Sequence, residues 1–378
     1  MQMIVLGRQP ELSLAELESL FGADKITRLA SDLALLNDRA DIDRLGGALK
    51  IAEVIHETTN TRHNGLAEEL AALLDKPDSK YNLGVSWHPS ADGQAKSAKD
   101  ANALALEMKK LLKVRGHKVR VVPASGSAEL SSAQVWHNRL DKEPNTELVL
   151  AEKNGKITAA KTTQVQDIEA YAARDQGRPM RDARVGMLPP KLAQIMVNLA
   201  GLRQGRILDP FVGTGVILQE AARMGYPVYG TDIEARMIDY TRANLQAQDL
   251  KADLETADAR AHTWHPPIDA VVSETYLGPP LHTVPSQDKL DTLAQASGQL
   301  MAKFLKNIAP QLTSGAPLVL AVPAWQSKDG KLTRSTVVDQ IEHLGYTRRS
   351  FKMAEDKDLI YRRPDQVVGR ELLVLTRN

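Results

Sequence analysis

The sequence predicts an α/β protein of more than one domain. Three features carry this. Strand-like and helix-like apolar periods alternate along nearly the whole chain, the order within the first sixty residues is βαββαβ, and a fresh run of alternating strands and helices begins after position 206. At 378 residues the chain exceeds one ordinary core, and two or three domains exhaust it.

The apolar run 3–6 reads as the first strand. Ser13, with Glu16 three residues on, has capping-box spacing and opens a helix. Runs 26–30 and 33–36 read as strands, Asp41 opens a short helix that Gly46 and Gly47 end, and 51–55 is the last strand of a ferredoxin-like domain over 1–60. From Gly65 the pattern changes to helix up to 74, strand 83–87, long amphipathic helix 98–114, strand 118–122, helix 132–140, and strands near 148–151 and 157–161. These make a second α/β domain over 61–165.

The stretch 171–190 is rich in Arg, Gly and Pro without periodicity, so 166–190 reads as a linker. An apolar-faced helix at 191–202 opens the last domain, 191–378. Its strands are expected at 207–208, 228–229, before Asp258, and at 270–272, 318–322, 359–361 and 372–375. Only PDQVVGRE joins the last two, too short a connection for a crossover, so they pair antiparallel. Seven strands with the last reversed is the architecture of class I methyltransferases, a Rossmann-like sheet.

Composition narrows the chemistry. A hydrophobic fraction of 43% with 25% charged residues is that of a folded, water-soluble chain. No apolar run is long enough for a membrane helix, and Arg8 and Glu11 come too early for a signal peptide, so the cytoplasm is the expected location and no membrane partner is expected. Without cysteine there is no disulfide framework, thiolate-held metal or cysteine nucleophile. The net charge of +1 carries no global argument for a nucleic-acid partner. Locally, however, nine Lys or Arg stand against four acids between Ala91 and Leu140, among them Lys109, Lys110, Lys113, Arg115 and Lys118. A second basic stretch holds Arg174, Arg178, Arg181 and Arg184. A solvated face is the competing reading of each, and Trp136 beside the first is a candidate stacking platform.

The strongest chemical signal is the run Leu208-Asp209-Pro210-Phe211-Val212-Gly213-Thr214-Gly215, where a strand passes into a helix that starts near Val216. Gly213 and Gly215 allow a tight turn and close approach to a nucleotide-like ligand. A dinucleotide fingerprint would need glycine where Leu218 stands. Asp232 ends the next strand, where an acid can accept bonds from both ribose hydroxyls. Asp258 follows the third, in reach of an adenine amine, or serves as a helix cap. Their order points to S-adenosylmethionine, with Phe211, Thr214, Ile233 and Ala259 assigned to the same site. After the fourth strand, Glu274 can orient an exocyclic amine and help shed its proton, while Tyr276 can stack on a base; a loop glutamate and a packing tyrosine are the alternative. His262 and His265 flank Trp264 without a third ligand, so no metal is expected.

The chain resembles the THUMP-domain tRNA guanine-N2 methyltransferases in their bacterial form. The resemblance rests on Val5-Leu6-Gly7-Arg8-Gln9-Pro10-Glu11-Leu12-Ser13, Leu130-Ser131-Ser132-Ala133-Gln134-Val135, Arg178-Pro179-Met180-Arg181-Asp182 with Gly186-Met187-Leu188-Pro189-Pro190-Lys191-Leu192-Ala193, and the Asp209–Gly215 loop. It implies that ferredoxin-like and THUMP-like domains grip tRNA, with the basic set Lys109, Lys110, Lys113, Arg115, Lys118, Arg178 and Arg181 as the expected contact. It also implies that the last domain methylates a guanine amine. Such enzymes usually carry Asp or Asn, two prolines and an aromatic residue at the acceptor loop. This chain has Glu274-Thr275-Tyr276-Leu277, in which Thr275 lacks the rigidity of proline. An RNA-binding protein without transfer activity, and an amino-methyltransferase of rRNA or DNA, are the alternatives. The sequence sets no oligomeric state.

Overall fold

The structure is a computed structural model that describes residues 1–74, 80–88, 96–182, 187–281, 283–363 and 366–378. Arg184 and Gly186 lie outside the described residues. The chain forms two compact units, one of residues 1–14 with 21–170 and the other of 15–20 with 171–378.

The first unit contains β1 (Gln2–Leu6), the ends of α1 (Pro10–Phe21), β2 (Ile26–Ala30), β3 (Leu33–Leu36), β4 (Ala48–Thr58), α2 (His63–Leu73), β5 (Lys80–His88), α3 (Ala98–Val114), β6 (Lys118–Val121), α4 (Ser132–His137), β7 (Thr146–Lys153) and β8 (Lys156–Val165). Its eight strands share one sheet, in the order β2-β3-β1-β4-β8-β7-β5-β6. β1 runs antiparallel between β3 and β4, as the βαββαβ reading requires. Two details differ from expectation. α1 starts at Pro10, three residues before the expected cap, because proline's fixed φ and missing N–H suit a first helical turn. Ser13 therefore lies inside the helix and donates to Gly47 O at 2.8 Å. The expected second helix is one 3₁₀ turn, Ile42–Arg44, too short between Asp41 and Gly46 to nucleate more.

The strands of 1–60 and 61–165 are joined in this sheet through β4 and β8, which pair antiparallel. A buried polar network holds that junction. Glu147 of β7 accepts from Lys50 of β4 at 2.5 Å, from Ser86 of β5 at 2.5 Å and from Thr162 of β8 at 2.6 Å. Over this sheet α3 lays Ala101, Leu104, Ala105, Met108 and Leu112, one helical stripe, against Leu66, Leu83, Leu148 and Leu150. Each fully buried Leu or Met there contributes roughly 1.5–3 kcal/mol. On the solvent side of α3 Lys110 and Lys113 are exposed, together with Leu106 and Val114.

The second unit contains α5 (Ile168–Gln176) from residue 171 on, then α6 (Pro190–Leu199), β9 (Ile207–Asp209), α7 (Val216–Arg223), β10 (Val228–Asp232), α8 (Ala235–Gln246), β11 (Asp253–Thr256), β12 (Ala270–Glu274), α9 (Gln287–Ile308), β13 (Pro317–Gln326), β14 (Leu332–Arg334), β15 (Tyr346–Arg348), β16 (Ile360–Tyr361) and β17 (Val368–Arg377). α5 occupies part of the expected linker. None of its residues is buried, so it has no apolar stripe to read, and it is held instead by Arg174 donating to Glu220 at 2.9 Å.

The main path of the sheet is β11-β10-β9-β12-β13-β17-β15. β9 to β13 are parallel, and β17 lies antiparallel between β13 and β15. The reversed last strand is thus present. The sixth strand is β15, however, and not the expected 359–361, which forms only the short β16 paired antiparallel to β17. Buried strands such as β13 read as continuous apolar runs because both of their faces are covered, here by Phe304, Leu305 and Ile308 of α9 among others. Among the described residues no helix is long and apolar enough to cross a membrane.

Candidate active site

A cleft of about 490 Å³ opens where the loops after β9, β10, β11 and β12 meet. In parallel sheets this is the natural ligand site, at the carboxyl ends of strands beside the point where strand order reverses, here between β9 and β12. Every strand that feeds it ends in or near an acid.

Asp209, the last residue of β9, is buried. Ser273 Oγ donates to its Oδ1 at 2.6 Å and Phe211 N does so at 3.2 Å. Burial pushes this carboxyl up to about 7, and the nearby acids Asp232 and Glu274 add to the rise. Gly213 has φ +51° and Gly215 φ +80°, conformations that favour glycine. Gly213, Thr214 and Phe211 line the cleft, whereas Gly215 does not. A Cβ on Gly215 would stand 2.7 Å from Thr241 of α8, so this glycine serves helix packing and not the ligand. The loop is pinned from α8: Thr241 Oγ1 donates to Gly213 O at 2.9 Å, and Asn244 Nδ2 donates to Thr214 O and Met180 O, each at 2.9 Å.

Asp232 ends β10 and accepts from Gly213 N at 2.9 Å and Glu234 N at 3.0 Å. Burial raises its carboxyl too. Beside it Ile233 is 61% exposed, an apolar face that lines the cleft. Asp258 and Ala259 line the cleft beyond β11. Both oxygens of Asp258 are held by Arg260, at 2.8 Å from Nε and 2.6 Å from Nη2, which keeps this carboxyl below its ordinary range. An adenine amine meeting that carboxylate would therefore share it with Arg260.

At the acceptor side Glu274 closes β12 with its side chain 18% exposed, and Arg370 of β17 reaches across β13 to donate to Glu274 Oε1. Burial raises the Glu274 carboxyl, while the Arg370 charge opposes the rise. Thr275 supplies the rigidity that proline would give. It is buried, and its N and Oγ1 both donate to Ala321 O, at 3.0 and 3.1 Å. Tyr276 is 54% exposed at the cleft and free to meet a flat ring.

Among the residues lining the cleft, six are acids (Asp182, Asp209, Asp232, Glu234, Asp258, Glu274) and two are arginines (Arg236, Arg260). This balance repels a phosphate-bearing dinucleotide and suits a cationic ligand with a ribose, such as S-adenosylmethionine. Sequence reasoning missed Ser273, Asn244 and Arg370, of which only Asn244 left a sign, lying on one helical face with Thr241.

The basic residues divide. Lys110, Lys113, Arg115 and Lys118 are exposed and Lys109 is half-buried, near the end of α3 and along the edge strand β6. Arg181 is exposed. Arg178 is only 5% exposed and its Nη2 donates to Asp175 O and Oδ1 at 3.3 Å, so it is a buried structural cation and not an RNA contact. Trp136 packs on the first unit's core. His262 makes an edge contact with Trp264 and stands 3.4 Å from Glu255, as a packing residue would.

Residues 178–322 match the profile of UPF0020, the RMKL-like methyltransferase domain. Over 143 residues the chain is 40% identical to the tRNA (guanine(10)-N2)-dimethyltransferase of Methanothermobacter thermautotrophicus, a stretch covering 37% of this chain and 40% of that protein. Over 94 residues it is 37% identical to the tRNA (guanine(6)-N2)-methyltransferase of Thermus thermophilus, covering 23% and 28% respectively. The chain thus spans two fifths or less of the length of these curated relatives. In fold, all of it superposes on all of TrmN from Thermus thermophilus with a TM-score of 0.57 at 18% identity. The stretch that matches the RMKL-like methyltransferase model holds the turn after β9, the acids at the four strand ends and Tyr276.

Proposed function

We propose that the chain transfers a methyl group from S-adenosylmethionine to the exocyclic N2 amine of a guanosine in tRNA. The single observation that carries this is a cation-favouring cleft bounded by the acids at four strand ends, with Glu274 and the exposed ring of Tyr276 at its acceptor side. Domains 1–60 and 61–165, the second THUMP-like, hold the RNA; 166–190 links them to the catalytic domain 191–378, and the chain works in the cytoplasm. S-adenosylmethionine, when bound, supplies a methyl group on a positively charged sulfur. Asp232 holds ribose hydroxyls, Asp209 and its neighbours offset the positive charge, and the backbone of the Gly213 turn gives the ligand room. Tyr276 stacks on the guanine. Glu274 Oε2, left over from the Arg370 contact on Oε1, accepts a hydrogen bond from the amine, aims its lone pair and takes its proton as the N–C bond forms, while the sulfur–methyl bond breaks and its electron pair stays on sulfur, which leaves as the neutral thioether.

The test is incubation of the purified protein with labelled S-adenosylmethionine and unmodified tRNA, followed by nucleoside mass spectrometry. Labelled N2-methylguanosine is expected. Bound cofactor with no label in any nucleoside would instead favour an RNA-binding protein without transfer activity. For the RNA grip, the Lys113→Ala/Lys118→Ala double variant should weaken tRNA binding and lower the slope of log affinity against log salt by about two, one for each lost phosphate contact. An unchanged slope in a filter-binding series would remove this face from the interface.

A further inference from the structure

The structure assigns a divalent-cation site to the first unit, formed by Asp32, His88 and Glu129. A ring nitrogen of His88 and one carboxylate oxygen from each acid lie within 4.8 Å of one another. The three come from separate segments: Asp32 from the turn between β2 and β3, His88 from the end of β5, and Glu129 from the loop before α4.

Two further observations separate this from a chance meeting of charges. Among the described residues Asp32 Oδ1 is buried without a hydrogen-bond partner, and the His88 ring beside Asp32 is 1% exposed. Buried polar atoms are ordinarily paired, and a cation is a partner that an imidazole nitrogen and a carboxylate oxygen can share. The segments are also held in place before any ion arrives. Leu6 N donates to Asp32 O at 2.8 Å, Trp87 N donates to Ala128 O at 2.9 Å, and Asp32 Oδ2 stands 3.0 Å from His88 Nδ1, a spacing at which one ion can meet both atoms.

The donor set selects the ion. One imidazole and two carboxylates suit Zn²⁺, Mn²⁺ or Co²⁺, balance a double positive charge, and leave coordination positions for water on the half-exposed side of Asp32 and Glu129. Lys50, whose charge also acts on Asp32, does not fill the site, because that charge is met by Glu147 at 2.5 Å and Leu130 O at 3.0 Å. A bound ion would tie three segments of the first unit together.

The test uses the full chain, chelated, desalted and titrated with Co²⁺. Visible absorption reads coordination, and elemental analysis after gel filtration reads stoichiometry. One equivalent with ligand-field bands is expected, and Glu129→Gln should weaken uptake by about tenfold or more. Zn²⁺ should raise the melting temperature of the unsubstituted protein, by mass action, and not that of Glu129→Gln. Glu129 is half-exposed, so this variant should fold, which circular dichroism in chelator checks; His88→Gln is the second variant. No uptake, or equal uptake and equal thermal shift in the unsubstituted protein and Glu129→Gln, would overturn the assignment.

Discussion

Replacing Glu274 by Gln should lower turnover on tRNA by about 10²- to 10⁴-fold, the usual contribution of a placed general base, while cofactor affinity stays within a few-fold. Gln keeps the shape and one acceptor oxygen but cannot take the proton that the amine must lose. In the proposed reaction Arg370 acts as a positioning residue, since its guanidinium meets Glu274 Oε1 and opposes the upward push of burial on that carboxyl. Its loss has a signature that mere destabilisation lacks. With Arg370→Gln, the Glu274 carboxyl rises further, more of it is protonated at a given pH, and the acid limb of kcat/KM moves to higher pH. Arg370→Lys retains the charge and should retain more of the original profile. A pH–rate profile that keeps its acid limb in Arg370→Gln would leave Arg370 with a structural role only.

Asp209 should make the cofactor-free protein lose stability as pH rises. Its folded-state value of about 7 stands above its ordinary 3.8, so the folded protein binds the proton more tightly than the unfolded chain. The contribution of the neutral form is fully present below about pH 4 and is lost as pH rises through about 7. A shift of this size corresponds to about 4 kcal/mol between those limits. Denaturant titrations at pH 4, 6 and 8 should show that slope, and Asp209→Asn, neutral throughout, should lack it. The same carboxyl links binding to pH, because a cationic ligand favours its ionised form. Binding of S-adenosylmethionine near pH 6.5 should therefore release protons, seen calorimetrically as a heat that depends on the buffer. S-adenosylhomocysteine, with a neutral sulfur, should release fewer. Equal release by the two ligands would exclude Asp209 as the group that senses the sulfonium.

What the sequence made legible follows a simple physical division. α3 was readable to its ends because one face is buried and the other solvated, and the turn after β9 because Gly213 and Gly215 stand in backbone conformations that favour glycine. Asp209, Asp232, Asp258 and Glu274 could be placed in one cleft since each follows a parallel strand, and such strand ends converge. Elements that bury little left no period. α5 has no buried residue, and β15 spans three residues, fewer than a strand pattern needs, so the more apolar 359–361 took its place in the reading. Residues that act across the fold were invisible for a different reason. Arg370 meets Glu274 across 96 positions, and Asp32 meets His88 across 56. No local spacing encodes such a pair.

The place of β17 also sets an order of events during synthesis. The strand inserted between β13 and β15 is made after both of them, so a growing chain displays the long apolar β13 with its edge on that side unsatisfied until 368–377 have emerged. An exposed apolar edge of this kind invites pairing with other chains, and a nascent chain halted there is the species most in need of a chaperone. Arg370 arrives on that same strand. The Glu274 carboxylate therefore acquires its counter-charge only when the sheet closes.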